Sequence, residues 1–150
     1  MRIWLGVSAL VAALNLSGAS IDLRQAVVVV RPGQLPPAES TAAKVLVEEI
    51  QKRTGIELAI SKSFPSGRPA IAITSTRNVP EWNRTVPTPP ARAEGFHLQA
   101  DNSTVWLAGS DARGALYAVG QLLRQLDWDK GKLELALPVD ISTAPQSSIR

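Results

Sequence analysis

The sequence of 150 residues contains no cysteine, a single histidine (His97) and few aromatics: four Trp, one Tyr and two Phe. Without cysteine there is no disulfide framework, no cysteine nucleophile and no thiolate zinc site, and one histidine cannot build a histidine cluster in its place. No metal and no cofactor are implied. Charge of one sign is also scarce: 16 Lys+Arg stand against 13 Asp+Glu, a formal charge of +3, with no run of like charge. A nucleic-acid interface needs clustered basic residues, so nucleic acid is not an expected partner. Long apolar runs occur in one place, residues 3–16. With Arg2 before it and Ser17-Gly18-Ala19 after it, this stretch reads as a cleaved secretory signal peptide over residues 1–19. It is shorter than the roughly 20 residues that cross a bilayer core. The expected product is secreted or periplasmic, with no membrane association after cleavage.

What is present is patterned. Residues 26–30 form a β-branched run ending at Arg31-Pro32-Gly33, apolar on both faces, as a central strand would be. In residues 38–54, Ala43, Leu46, Val47 and Ile50 recur at helical spacing, Glu48 and Glu49 precede Lys52 and Arg53 by four, and Gly55 supplies a left-handed cap. Alternation around Leu58 and Ile60, and again over 70–74, predicts two more strands. Residues 75–93, with four prolines and Trp82, read as a long excursion. A hairpin follows over 95–100 and 104–108, turning at Asp101-Asn102-Ser103. Asp111 then caps a helix whose stripe runs Ala112, Ala115, Leu116, Val119, Leu122, Leu123 and Leu126, with Gly114 and Gly120 tolerable if they let its backbone approach the strands. Leu133, Leu135 and Leu137 alternate in a last strand, and 138–145 reads as an extended exit. The order predicts an α/β (α+β) two-layer sandwich, a mixed β-sheet with two helices packed on one face.

Residues able to do chemistry are few. Asp111 is better explained as a cap than as an acid, and Asp127 and Asp129 flank Trp128 in what reads as a solvated turn. His97 lies mid-strand, opposite in direction to Phe96 and Leu98, with no serine partner identified. The segment Gly109-Ser110-Asp111-Ala112-Arg113-Gly114 sits where a phosphate cradle forms. A P-loop, however, needs Lys and Ser/Thr where Ala115-Leu116 stand, and the second glycine of a dinucleotide fingerprint would fall on Asp111. No catalytic residue is assigned. With so few aromatics in the chain, Trp82 and Trp106 are read first as core residues; exposed, they would be stacking platforms for sugar rings, the basis of an alternative reading as a self-standing glycan-binding module.

Three stretches together carry a resemblance: the helix end Glu49-Ile50-Gln51-Lys52-Arg53-Thr54-Gly55, the hairpin opening Glu94-Gly95-Phe96-His97-Leu98, and the run from Gly109-Ser110-Asp111-Ala112-Arg113-Gly114 through Tyr117 to Leu122-Leu123-Arg124-Gln125-Leu126. The sequence resembles the N-terminal α/β domain that precedes the catalytic barrel in β-N-acetylhexosaminidases, α-glucuronidases and related secreted glycoside hydrolases. The resemblance implies a non-catalytic accessory domain over 20–140. It also implies a linker over 141–150 into a (β/α)8 barrel that carries the catalytic carboxylates and acts on a polysaccharide or oligosaccharide. It would place Arg150 where hexosaminidases hold a substrate-contacting arginine, although an ordinary surface arginine is the simpler reading. Apolar surface for such a barrel is expected on the sheet face opposite the helices, first at residues 26–30.

Overall fold

The computed structural model describes residues 18–146. The expected signal peptide up to residue 17, and Arg150, therefore lie outside the described residues. The chain runs β1 (Ser20–Asp22), β2 (Val27–Val29), α1 (Pro37–Thr54), β3 (Ala59–Ser61), β4 (Ala70–Thr74), β5 (Phe96–Ala100), β6 (Thr104–Gly109), α2 (Ala112–Gln125), β7 (Asp127–Asp129), β8 (Lys132–Ala136) and β9 (Val139–Thr143). Six strands form a mixed sheet in the order β3-β2-β4-β6-β5-β9. The first four are parallel, and β5 is antiparallel to both β6 and β9. Both helices lie on one face, giving the two-layer α+β sandwich expected from sequence.

The pleat sorts the core. Val28, Ile71, Ile73, Leu98, Val105 and Leu107 point to the helices, where they meet Ala42, Leu46 and Ile50 of α1 and Ala115, Val119 and Leu122 of α2. Proline at the first position opens α1, and Gly55 (φ 75°) closes it by donating its N–H to the Gln51 carbonyl. Glu49 pairs with Arg53 as predicted, but Glu48 takes Lys44 rather than Lys52. On the opposite face the alternate residues Val27, Val29, Ala70, Ala72, Trp106 and Ala108 make a second core with Val79, Trp82 and Val86 from the excursion, and Phe64 packs against it. The expected bare apolar face is therefore covered: the 75–93 segment folds over the sheet and removes Val27 and Val29 from solvent. Among the described residues the large exposed hydrophobics are Ile60 (50% exposed) and Tyr117 (44%).

Four strands lie outside the pattern read from sequence: β1 and β7, which it does not predict, and β8 and β9, which pair differently from the expectation. The predicted last strand, β8, does not join the main sheet. It pairs antiparallel with β1 and β7 in a separate three-stranded sheet. Pro138 divides β8 from β9, since proline cannot donate to a ladder. The segment read as an extended exit returns to the main sheet as β9 beside β5. The small sheet sends Ile21, Leu133 and Leu135 into the helix-side core, and the Gly131 N–H donates to the Thr54 carbonyl at the end of α1 (2.9 Å). Among the described residues no helix is long and apolar enough to cross a membrane.

This packing fixes an expectation for stability. Leu107→Ala, at a fully buried site facing the helices, should cost about 2–5 kcal/mol in urea unfolding. Ile60→Ala on the exposed β3 edge should stay within about 0.5 kcal/mol.

Candidate functional site

The Gly109–Gly114 segment, the strongest motif in the sequence, is a structural junction. Asp111 Oδ1 accepts the Gly114 N–H (2.7 Å), capping α2, and Oδ2 accepts the Glu94 N–H (2.9 Å), pinning the end of the excursion. Ser110 Oγ donates to the Arg92 carbonyl (2.5 Å) and accepts the Gly95 N–H (3.1 Å). The glycines permit the approach: a Cβ on Gly114 would collide with the Gly95 carbonyl oxygen, and one on Gly109 with the Ala115 backbone nitrogen. The helix terminus that could receive an anion is occupied by the Asp111 carboxylate, which would repel phosphate. Asp111 is thus the cap that the sequence suggested.

A second polar cluster had no sequence signal. Glu39, 0% exposed in the first turn of α1, accepts from Arg31 Nε (2.7 Å) and Nη2, from the Ser75 N–H (3.2 Å) and from Ser75 Oγ. The carboxylate bonds raise the proton affinity of the Arg31 guanidinium above its ordinary range, so it stays a cation. These residues tie the ends of β2 and β4 to the start of α1, where parallel α/β sheets often place ligands. Here each carboxylate oxygen accepts two hydrogen bonds from within the protein. A charged residue in the first turn of a helix is common, so nothing in the sequence sets Glu39 apart.

His97 and Asp140, from neighbouring strands β5 and β9, also meet. The imidazole spans the Thr88 carbonyl oxygen (3.0 Å at Nδ1) and Asp140 Oδ1 (2.5 Å at Nε2), fastening the excursion to the sheet. Asp127 takes Lys132 Nζ (2.7 Å) and Asp129 the Lys130 N–H (2.8 Å). Both lie on β7 rather than in a solvated turn. The stacking platforms proposed for Trp82 and Trp106 are not available to a sugar. The rings are 5% and 7% exposed, their centroids lie 6.1 Å apart with Phe64 within 5.6 Å of each, and Trp82 Nε1 donates to the Lys62 carbonyl. Arg84 lies over the Phe64 ring at 4.0 Å and closes the cluster from outside. Phe64, next to the Pro65-Ser66-Gly67 turn, was missed because one aromatic beside a turn has no period to betray it.

Two of the clefts on the described surface carry carboxylates beside apolar side chains. One of about 420 Å³ is lined by Phe64, Arg68, Arg84, Asn102 and Asp22, and one of about 370 Å³ by Phe96, Tyr117, Gly120, Arg124, Pro145 and Glu94. Each holds one carboxylate, and each carboxylate has a guanidinium partner: Asp22 with Arg24 at 2.8 Å and Glu94 with Arg113 at 3.2 Å. The Arg24 side chain holds the Asp22 carboxyl below the usual carboxylate range, the reverse of what a proton donor needs.

Two substitutions test these fixtures. Glu39→Ala leaves the Arg31 cation without its partner and should cost about 3 kcal/mol in denaturant unfolding. Asp111→Ala should cost about 1–2 kcal/mol, the value of a lost helix cap, and speed amide hydrogen exchange at both Gly114 and Glu94. Loss of protection at Gly114 alone would show that the bond to Glu94 holds nothing.

The family model for glycosyl hydrolase family 20, domain 2, matches residues 10–140. None of the curated protein sequences matches. Among solved structures, the chain is similar to the family 20 exo-β-N-acetylglucosaminidase of Vibrio harveyi, with TM-score 0.60 and 20% identity over 87% of this chain and 17% of that one. It is also similar to the β-N-acetylhexosaminidase of Streptomyces coelicolor A3(2), with TM-score 0.62 and 19% identity over 86% and 24%. A third is the β-hexosaminidase of Streptomyces plicatus, with TM-score 0.61 and 18% identity over 86% and 24%. The chain therefore spans less than a quarter of the length of these enzymes, and at such identities the likeness establishes the fold. Of the two glycosidase groups that the sequence resembles, the family match falls on the hexosaminidases. The family model covers most of the chain, the helices and both sheets included, and the chain belongs to glycosyl hydrolase family 20, domain 2.

Proposed function

We propose that this chain is the non-catalytic accessory domain of an exported β-N-acetylhexosaminidase-type glycoside hydrolase, and that it packs against a (β/α)8 barrel following it. The observation that carries the reading is the family match across residues 10–140. The chemistry of the clefts supports it. Cleaving a glycosidic bond needs a carboxylic acid poised to protonate the leaving oxygen, and a second carboxylate or the substrate's own acetamido group to take up the sugar carbon. Asp22 and Glu94 are each tied to an arginine, and neither shares its cleft with another carboxylate. The barrel supplies the acid and the substrate pocket, and this domain supplies a rigid neighbour. Export follows from the leader-like residues 1–19.

Two measurements test this. The purified chain should show no turnover of aryl β-N-acetylglucosaminides above buffer, and turnover that is lost in Glu94→Gln or Asp22→Asn would overturn the reading. Residues 1–30 fused to alkaline phosphatase should give active enzyme outside the bacterial cytoplasm, with Ser20 as the new N-terminus. Enzyme retained in the cytoplasm would remove export from the reading.

A further inference from the structure

The charge of the domain is segregated. Between Lys62 and Thr85 stand Lys62, Arg68, Arg77 and Arg84 against the single acid Glu81, a net +3 that equals the formal charge of the whole chain. Two clefts on this part of the surface meet at Arg84. One is the cleft of about 420 Å³ that also holds Arg68 and Asn102, and the other, of about 500 Å³, is lined by Arg77, Asn78, Asn83, Arg84 and Thr85. The second holds no carboxylate, and Glu81 lines neither. In the first, Asp22 is engaged by Arg24 (2.8 Å). Asp101, the other carboxylate that the charge of Arg84 reaches, accepts the N–H groups of Ser103 and Thr104 (2.8 Å each). Unlike His97 and Asp111, the arginines are not spent on fastening the fold: among the described residues no carboxylate lies within 4 Å of Arg68, Arg77 or Arg84. Arg68 uses its Nε alone, on the Gln25 carbonyl (3.0 Å). Arg84 is held without being consumed. Its guanidinium lies 4.0 Å over the Phe64 ring, which meets the buried Trp82 edge-on. The tight turn Pro80–Trp82 fixes that ring, with the Trp82 and Asn83 N–H groups donating to the Val79 and Pro80 carbonyls (3.1 Å each). Stacking occupies the face of a guanidinium and leaves its edge N–H groups free.

We propose that these adjoining clefts form a binding site for an acidic saccharide, a sugar chain carrying carboxylate or sulfate groups, with Arg84 at the centre and Arg68 and Arg77 one in each cleft. A guanidinium edge matches the paired oxygens of a carboxylate or sulfate. The exposed amides of Asn78, Asn83 and Asn102 offer donors and acceptors to the hydroxyls between the acid groups. A single-stranded nucleic acid needs aromatic faces for its bases, and here Arg84 covers Phe64 while Trp82 is buried. An anionic membrane is met by basic residues around apolar side chains that insert, and the large exposed hydrophobics Ile60 and Tyr117 line neither cleft. The inference goes beyond the accessory-domain reading and uses only this chain's own surface, so it does not depend on the domain that follows.

Calorimetry on the purified chain tests this, with oligogalacturonate and chondroitin sulfate fragments as the carboxylate and sulfate probes and a neutral chito-oligosaccharide as control. At least one acidic probe should bind at low salt with Kd below about 1 mM, and the neutral one should not. Arg84→Gln and Arg77→Gln should each weaken binding about tenfold. Arg84→Lys should recover little of that loss, because an ammonium lacks the fork. Lys52→Gln removes the same charge from the exposed side of α1 and should leave Kd within about twofold. Arg77 makes no side-chain bond among the described residues, so its variant reads the site even where loss of the Arg84 stack disturbs folding. Failure of both acids to bind, an unchanged Kd in Arg77→Gln and Arg84→Gln, or equal weakening by Lys52→Gln would overturn the site. Tighter binding to phosphatidylglycerol vesicles or to single-stranded DNA than to either acid, lost in Arg84→Gln, would overturn the saccharide as its ligand.

Discussion

A parallel strand buried on both sides needs two covers, and this fold has helices for one. Strands β2, β4 and β6 send branched side chains towards α1 and α2 and smaller ones, with Trp106, to the other side. The second cover has to come from irregular chain, and the 75–93 excursion provides it by laying Val79, Trp82 and Val86 over Ala70, Ala72 and Ala108. Small residues on the sheet make room for large rings above it, at a density that a loop of polar residues could not reach. The prolines of that segment limit the conformations it must give up on folding, which suits a cover that has no backbone ladder of its own.

A cover without a ladder has to be fastened, and that need explains where the polar residues went. Thr88 is held by His97, Arg92 and Glu94 by Ser110 and Asp111, and Ser75 by Glu39. The residues with the right chemistry for acid, base or anion binding are thus engaged as fasteners, with their lone pairs and protons committed. Asp111 shows the logic most economically, since one oxygen caps the helix behind the sheet while the other pins the loop in front of it. Three glycines at that junction allow backbone to meet backbone where side chains would hold them apart.

Legibility in the sequence followed the range of the interactions involved. Gly55, the stripe of α2, the Asp101 turn and the Asp111 cap act within a few residues of themselves, and each was readable from spacing and residue type. The assignment of β8 to a second sheet was not, because alternation at Leu133 and Leu135 says that one face is buried and not which strands stand beside it. Strands β1 and β7, three residues each, are too short to show a period. Trp82 could not be placed because an aromatic in a proline-rich loop is equally a core residue or a platform until its partner is known. The partner, Phe64, is 18 positions away in a segment with no pattern. Glu39 was hidden for a related reason: its meaning depends on Arg31 and Ser75, which approach it only when the sheet has formed.

The same distinction gives the two helical glycines of α2 different standing. A residue type that costs helix stability is retained where something comes close enough to need the space. At Gly114 the neighbour is inside the domain and is visible, and at Gly120 the space is open. The domain has spent its internal contacts on covering both faces of its sheet, and among the described residues the large apolar side chains it leaves exposed are Ile60 on the β3 edge and Tyr117 on the outer side of α2.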